Sequence, residues 1–171
     1  MSHIIFITGG ARSGKSRFAQ EMAEKRCDHP VYLATARVWD DDFRQRIERH
    51  QQDRGPHWIN VEEEKHLSAV DAGGKTVLLD CVTLWLTNLF FDNGFDMEKA
   101  LAEAKEEWRK FVDKEMDLIV VSNELGMGVH PAEESARKFA DLQGWINQHI
   151  AAMADEVYLM VAGIPVKIKR Q

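Results

Sequence analysis

Cysteine is scarce in this chain, an excess of basic charge is absent, and no apolar run is long. The two cysteines, Cys27 and Cys81, stand far apart in no metal-like spacing. They argue against a disulfide framework and read as packing thiols in a reducing compartment. The net charge of −6 argues against a general nucleic-acid surface, which needs a basic patch to meet phosphate. The most apolar stretch, TVLLDCVTLWLTNLFF, is broken by Asp80 and Asn88. It is also shorter than the roughly 20 apolar residues that span a bilayer. MSHIIFITGG has too short an apolar run for a signal peptide and lacks a basic flank. Repeats, low-complexity tracts and long linkers are missing too. The expectation is a soluble, cytoplasmic protein with no membrane span and no nucleic-acid partner.

What is present suits one domain over residues 1–171, long enough for one substantial core. Short apolar runs alternate with longer amphipathic ones. IIFIT (4–8), VYLAT (31–35), WINVE (58–62), TVLLD (76–80), LIVVS (118–122) and VYLMV (157–161) read as strands. Several are apolar almost throughout, as in a parallel sheet covered on both faces. Residues 16–26, 40–53, 83–92, 97–114 and 132–154 read as helices. The fourth carries a stripe of Leu101, Ala104, Trp108 and Phe111. Gly73 and Gly74 read as a turn before the fourth strand. This alternation predicts a three-layer α/β domain.

GGARSGKS, residues 9–16, matches G-x-x-x-x-G-K-[ST] between an apolar strand and an amphipathic helix. In such a cradle the backbone N–H groups of Gly9, Gly10, Ala11, Arg12, Ser13 and Gly14 wrap phosphate oxygens, and the helix N-terminus adds partial positive charge. Lys15 would reach the β and γ phosphates, and the Ser16 hydroxyl would ligate Mg²⁺. TVLLD delivers Asp80 to a strand end, where it would hold the same ion or else cap the following turn. The guanine-reading NKxD pattern is missing, which disfavours a timing switch.

RQRIERHQQDRGPHW, residues 44–58, sets His50 between Arg46 and Arg54 at spacings of four. On a helix these three share one face and suit a multiply charged anion. Three readings stand on residues alone: a solvated imidazole, a phosphate clamp, and a nucleophile that attacks phosphorus while the arginines stabilise the charge that develops. A zinc site from His50, His57 and His66 matches no common spacing.

The set GGARSGKS, RIERH (46–50), HW (57–58), NELGMGVHP (123–131) and GIPVKIK (163–169) resembles the bifunctional adenosylcobinamide kinase / adenosylcobinamide-phosphate guanylyltransferase family, in order and over essentially the whole chain. The resemblance implies a P-loop NTPase (RecA-like) domain with a mostly parallel sheet of about six or seven strands. It implies Mg²⁺, ATP and GTP, with adenosylcobinamide and its phosphate as partners, and a homotrimer. It implies phosphorylation of adenosylcobinamide, then transfer of GMP from GTP through a GMP–histidine intermediate. His50 is then the guanylylated residue. Some members carry a second histidine just before it, where this chain has Arg49. Nucleotide contacts carry over to residues 9–16, to Thr35, Ala36 and Arg37, to Gln51, Gln52, Asp53 and Arg54, and to Glu62. Asn123, Glu124, Gly126 and Gly128 form a candidate substrate loop, with a structural loop or subunit contact as the alternative. A plain P-loop small-molecule kinase and a nucleotide-binding regulatory protein are the competing functions.

Overall fold

The computed structural model describes residues 1–170. Strand β1 (His3–Gly9) leads through the glycine-rich loop into helix α1 (Lys15–Glu24), followed by β2 (Val31–Ala34), α2 (Asp41–Asp53) and β3 (Ile59–Glu62). A 3₁₀ turn at Leu67–Ala69 precedes β4 (Thr76–Asp80), α3 (Val82–Asp92), α4 (Met97–Val112), β5 (Asp117–Asn123), α5 (Glu134–Met153), β6 (Glu156–Val161) and β7 (Ile164–Lys169). Asp40 caps α2 by accepting from the Phe43 amide at 2.7 Å, and Asp96 caps α4 by accepting from the Lys99 amide at 3.0 Å. Gly73 and Gly74 do form the turn before β4.

One seven-stranded sheet runs in the order β3-β2-β4-β5-β1-β6-β7. Every pairing is parallel except β6 with β7. Strand alternation sends Ile4 and Phe6 to one face, where Trp85, Trp108, Phe111 and Ile146 from α3, α4 and α5 close over them. Ile5 and Ile7 point to the other face, against Ala19 and Ala23 of α1. The order sets β5 between β1 and β4. The C-terminal ends of these strands lie on one edge, the usual ligand position in an open α/β sheet.

The sequence reading missed two elements as such. The 3₁₀ turn is too short to show periodicity. Strand β7, IPVKIK, is exposed along its length except at Lys169 and pairs antiparallel through a two-residue turn. Ala162 and Gly163 hold that turn with φ of 51° and 80°, the geometry that matches strand twist. Helix α2 differs from the others in burying no side chain, so the core does not fix its position.

The outer helical layer makes a stability prediction. Trp108 is fully buried, whereas Trp145 is 43% exposed. Trp108→Ala should lower unfolding free energy by about 3–5 kcal/mol, and Trp145→Ala by less than about 0.5 kcal/mol. Urea titration followed by circular dichroism measures both. Equal losses would contradict the packing of α4 against the sheet.

Candidate active site

At the end of β1 the chain needs backbone angles that favour glycine. Gly14, the N-cap of α1, has φ of 93°. A Cβ there would also come within 3.1 Å of the Gly163 Cα in the β6–β7 turn. That turn braces the loop, because the Gly163 amide donates to the Ser13 carbonyl at 2.9 Å. Lys15 is buried, and its ammonium donates to the Gly10 carbonyl and, at 3.4 Å, lies within reach of the Ser13 hydroxyl. Burial holds it below the ordinary lysine range, an effect that Cys81 and Asp80 partly oppose.

Two elements converge on Asp80 at the end of β4. Its Oδ2 accepts from the Ser16 hydroxyl at 3.2 Å and from the Tyr32 hydroxyl at 2.6 Å. Tyr32 is itself buried in the sheet, and burial, followed by the Asp80 charge, pushes its phenol well above the ordinary range. Over the Tyr32 ring, 3.4 Å from its centre, lies the Arg54 guanidinium. Arg54 is only 5% exposed and donates to Asn60 Oδ1 at 2.8 Å, while its Nε is buried without a partner. Desolvation lowers its pKa, yet an arginine so shifted is still a cation.

Ser16, Tyr32, Arg54 and Asp80 line one cavity of about 260 Å³, together with Arg46, His50, Phe43 and Ile47 from α2. Arg46, His50 and Arg54 thus do share a face directed at the P-loop helix and Asp80. Their environments differ: Arg54 is buried, His50 is exposed, and Arg46 is exposed and paired with Asp42 at 3.0 Å. An imidazole, two guanidiniums and a hydroxyl–carboxylate pair around one cavity can hold a polyphosphate and present a nucleophile to it.

Other expected residues are placed differently. Ala36 lines the cavity. Thr35 is fully buried, and its hydroxyl donates to the Cys81 carbonyl at 2.7 Å and accepts from the Cys81 amide at 3.1 Å. The Arg37 guanidinium is held by Glu64 at 2.6 Å and by both oxygens of Asp92 at 2.8 and 3.0 Å. The side chains of Thr35 and Arg37 therefore order the loop after β2. Gln51 donates to Glu62 at 3.1 Å, while Gln52 and Asp53 lie exposed on α2. The carboxylate of Glu124 accepts from the amides of Gly126 and Met127 at 2.6 and 2.9 Å. The Glu124 amide donates to the Gly9 carbonyl at 2.9 Å, which joins this loop to the P-loop strand. Asn123 bonds Thr83 at 3.1 Å, and Gly128 is exposed in the same loop.

Sequence reasoning missed Gln20, Tyr32, Ala34, Phe43, Ile47 and Leu84 as lining residues. A signal existed for two of them, because Phe43 and Ile47 precede His50 at helical spacing on the same face. Tyr32 showed only as one hydroxyl in an apolar strand.

Residues 5–168 match a family model described as cobinamide kinase / cobinamide phosphate guanyltransferase. The bifunctional adenosylcobalamin biosynthesis protein CobU of Escherichia coli (strain K12) is 41% identical, over 97% of this chain and 99% of the relative. Its namesake in Salmonella typhimurium is 37% identical over the same shares. The bifunctional adenosylcobalamin biosynthesis protein CobP of Pseudomonas aeruginosa is 38% identical over 95% of each chain. Among solved structures, the flagellar accessory protein FlaH from Methanocaldococcus jannaschii gives a TM-score of 0.47 at 13% identity, over 99% of this chain and 79% of that one.

The contrast between the two arginines yields a prediction. Arg54→Ala should cost about 2 kcal/mol of stability, from a desolvated cation–π contact and its packed stem. Arg46→Ala should change stability by less than about 0.5 kcal/mol. Chemical denaturation of the two variants side by side tests this, and an unaffected Arg54→Ala would contradict its structural share.

Proposed function

The chain belongs to the cobinamide kinase / cobinamide phosphate guanyltransferase family, and from that premise we propose that one nucleotide cradle serves both reactions, with His50 as the residue that carries GMP. It is a bifunctional enzyme of adenosylcobalamin biosynthesis: a kinase acting on cobinamide and a guanylyltransferase acting on the resulting phosphate. The observation that carries the proposal is the single cavity holding Ser16, Asp80, Arg46, His50 and Arg54.

In the first half-reaction the P-loop holds ATP or GTP, and the hydroxyl of adenosylcobinamide attacks the γ-phosphorus. The bond to the β-phosphate oxygen breaks, leaving a nucleoside diphosphate. This step asks the protein for alignment and charge stabilisation, which the backbone N–H groups and Lys15 supply. In the second, a nitrogen of His50 attacks the α-phosphorus of GTP, and pyrophosphate leaves. Arg46 and Arg54 face the charge that builds on the phosphoryl oxygens. A phosphate oxygen of the phosphorylated substrate then attacks the same phosphorus, the P–N bond breaks, and adenosylcobinamide-GDP forms.

Mg²⁺ fits the pair Ser16 and Asp80. The hydroxyl and the carboxylate meet at 3.2 Å at the mouth of the P-loop helix, a hard-oxygen set of the kind this ion takes. Bound there, it would neutralise phosphate charge. The exposed apolar side chains Ile164, Val166 and Ile168 on edge strand β7 support a homo-oligomer, for which the family resemblance suggests a trimer. Dependence on ATP and GTP supports action in the cytoplasm.

The tests separate the two chemistries. His50→Ala should abolish covalent GMP labelling and guanylyl transfer while leaving measurable kinase activity, since only α-phosphorus attack needs the imidazole. Intact mass after incubation with GTP and Mg²⁺ reads the adduct, and circular dichroism confirms the fold. A folded His50→Ala protein that still gains GMP would remove His50 from the role. Lys15→Ala, in contrast, should depress both half-reactions because both use the cradle. Near-normal labelling in that variant would argue against a shared site.

A further inference from the structure

We propose that Tyr32 is a positioning residue for both halves of the site: its hydroxyl orients the Asp80 carboxylate, and its ring seats Arg54 at the end of the helix that bears His50. The inference rests on the reading that Ser16 and Asp80 hold the divalent cation, and it deepens that reading.

On β2, Ala34 pairs with Asp80 and Tyr32 pairs with Leu78. Residues two apart share a face, so the Tyr32 side chain lies beside that of Asp80 on the α1 side of the sheet. Its hydroxyl donates to Oδ2 at 2.6 Å, the short distance of a bond to a charged acceptor. Ser16 donates to the same oxygen from 3.2 Å, on the exposed side. A serine hydroxyl can turn its lone pairs towards a cation. The phenol cannot follow, because its ring is locked in the core, 5.9 Å edge-on from Trp58. Tyr32 is thus the fixed partner that keeps the carboxylate plane set when Ser16 changes its own.

The ring has a second role. Helix α2 buries no side chain, so its C-terminal end depends on what Arg54 rests upon. That support is the Tyr32 ring face, at 3.4 Å, with one hydrogen bond to Asn60 beside it. One side chain therefore touches both the metal-facing carboxylate and the anchor of the His50 helix.

The test uses the intact protein and a GTP analogue with a carbon bridge between the α and β phosphorus atoms, which cannot release pyrophosphate. Affinity for the analogue is measured with Mg²⁺ and with chelator. Asp80→Ala should lose the metal-dependent gain in affinity. Tyr32→Phe should lose about tenfold of that gain, the scale of an outer partner of a metal ligand, with metal-free affinity unchanged. At saturating Mg²⁺, the rate of His50 labelling by GTP should recover in Tyr32→Phe, which keeps the ring. It should stay depressed in Tyr32→Leu, which does not. If Asp80→Ala loses the gain and Tyr32→Phe keeps it whole, the hydroxyl's role is refuted while the metal reading stands. If Asp80→Ala keeps the gain, the metal reading falls and this inference with it. Full recovery of labelling in Tyr32→Leu would refute the role of the ring, and labelling in Tyr32→Phe that no Mg²⁺ concentration restores would show a merely structural defect.

Discussion

The carboxylate of Asp80 is the point on which the site depends. Two hydroxyls reach its Oδ2, one from the first turn of α1 and one from within β2. Strand β5 lies between β1 and β4, so the P-loop and Asp80 start one strand apart on the sheet edge. Only a helix leaning across β5 can close that gap, and α1 does so because Ala19 and Ala23 are small enough to let it lie close to the sheet. The order of strands and the size of two side chains thus fix where a cation and a polyphosphate could meet. A bulky residue at Ala19 would act on that meeting point without touching any ligand.

Behind this edge a buried polar network holds the loops that leave it. Asn88 of α3 donates to the Thr35 and Glu64 carbonyls at 2.8 and 3.0 Å, joining the end of β2 to the loop after β3. Thr35 ties the same end to Cys81, and Arg37 ties it to Asp92, whose carboxyl is held well below the usual carboxylate range chiefly by that arginine. Buried donors left unpaired cost about 1–3 kcal/mol each, so these residues specify loop geometry even where they face no ligand. Residues carried over as nucleotide contacts can therefore shape the nucleotide site from behind.

Much of this was legible in the sequence. The strands that became β1, β2, β4 and β5 are apolar because both faces are covered, and the P-loop motif sits where a strand meets a helix. Strand β7 was not legible, because its apolar residues are exposed and Pro165 argues against a strand. An edge tolerates that proline, since one side of the ladder needs no donor. The face shared by Arg46, His50 and Arg54 followed from spacing alone. The burial of Arg54 did not, because an arginine in a polar run reads as solvated. What buries it is Tyr32, 22 positions earlier, and a local pattern carries no information about a contact made across the sheet.

That burial explains how one helix can hold two arginines for different work. Arg54 is pinned between the Tyr32 ring and Asn60, so its charge is fixed in place and costs little further ordering when an anion arrives. Arg46 is tethered to Asp42 on its own helix and remains exposed, so in the proposed transfer it is free to follow the GMP phosphorus from one bond to the next. His50 lies between them, exposed enough to react and close enough to the fixed cation for a developing charge to be met. Preorganisation at one end of the face and freedom at the other suit the role proposed for His50, which is to accept GMP and then release it.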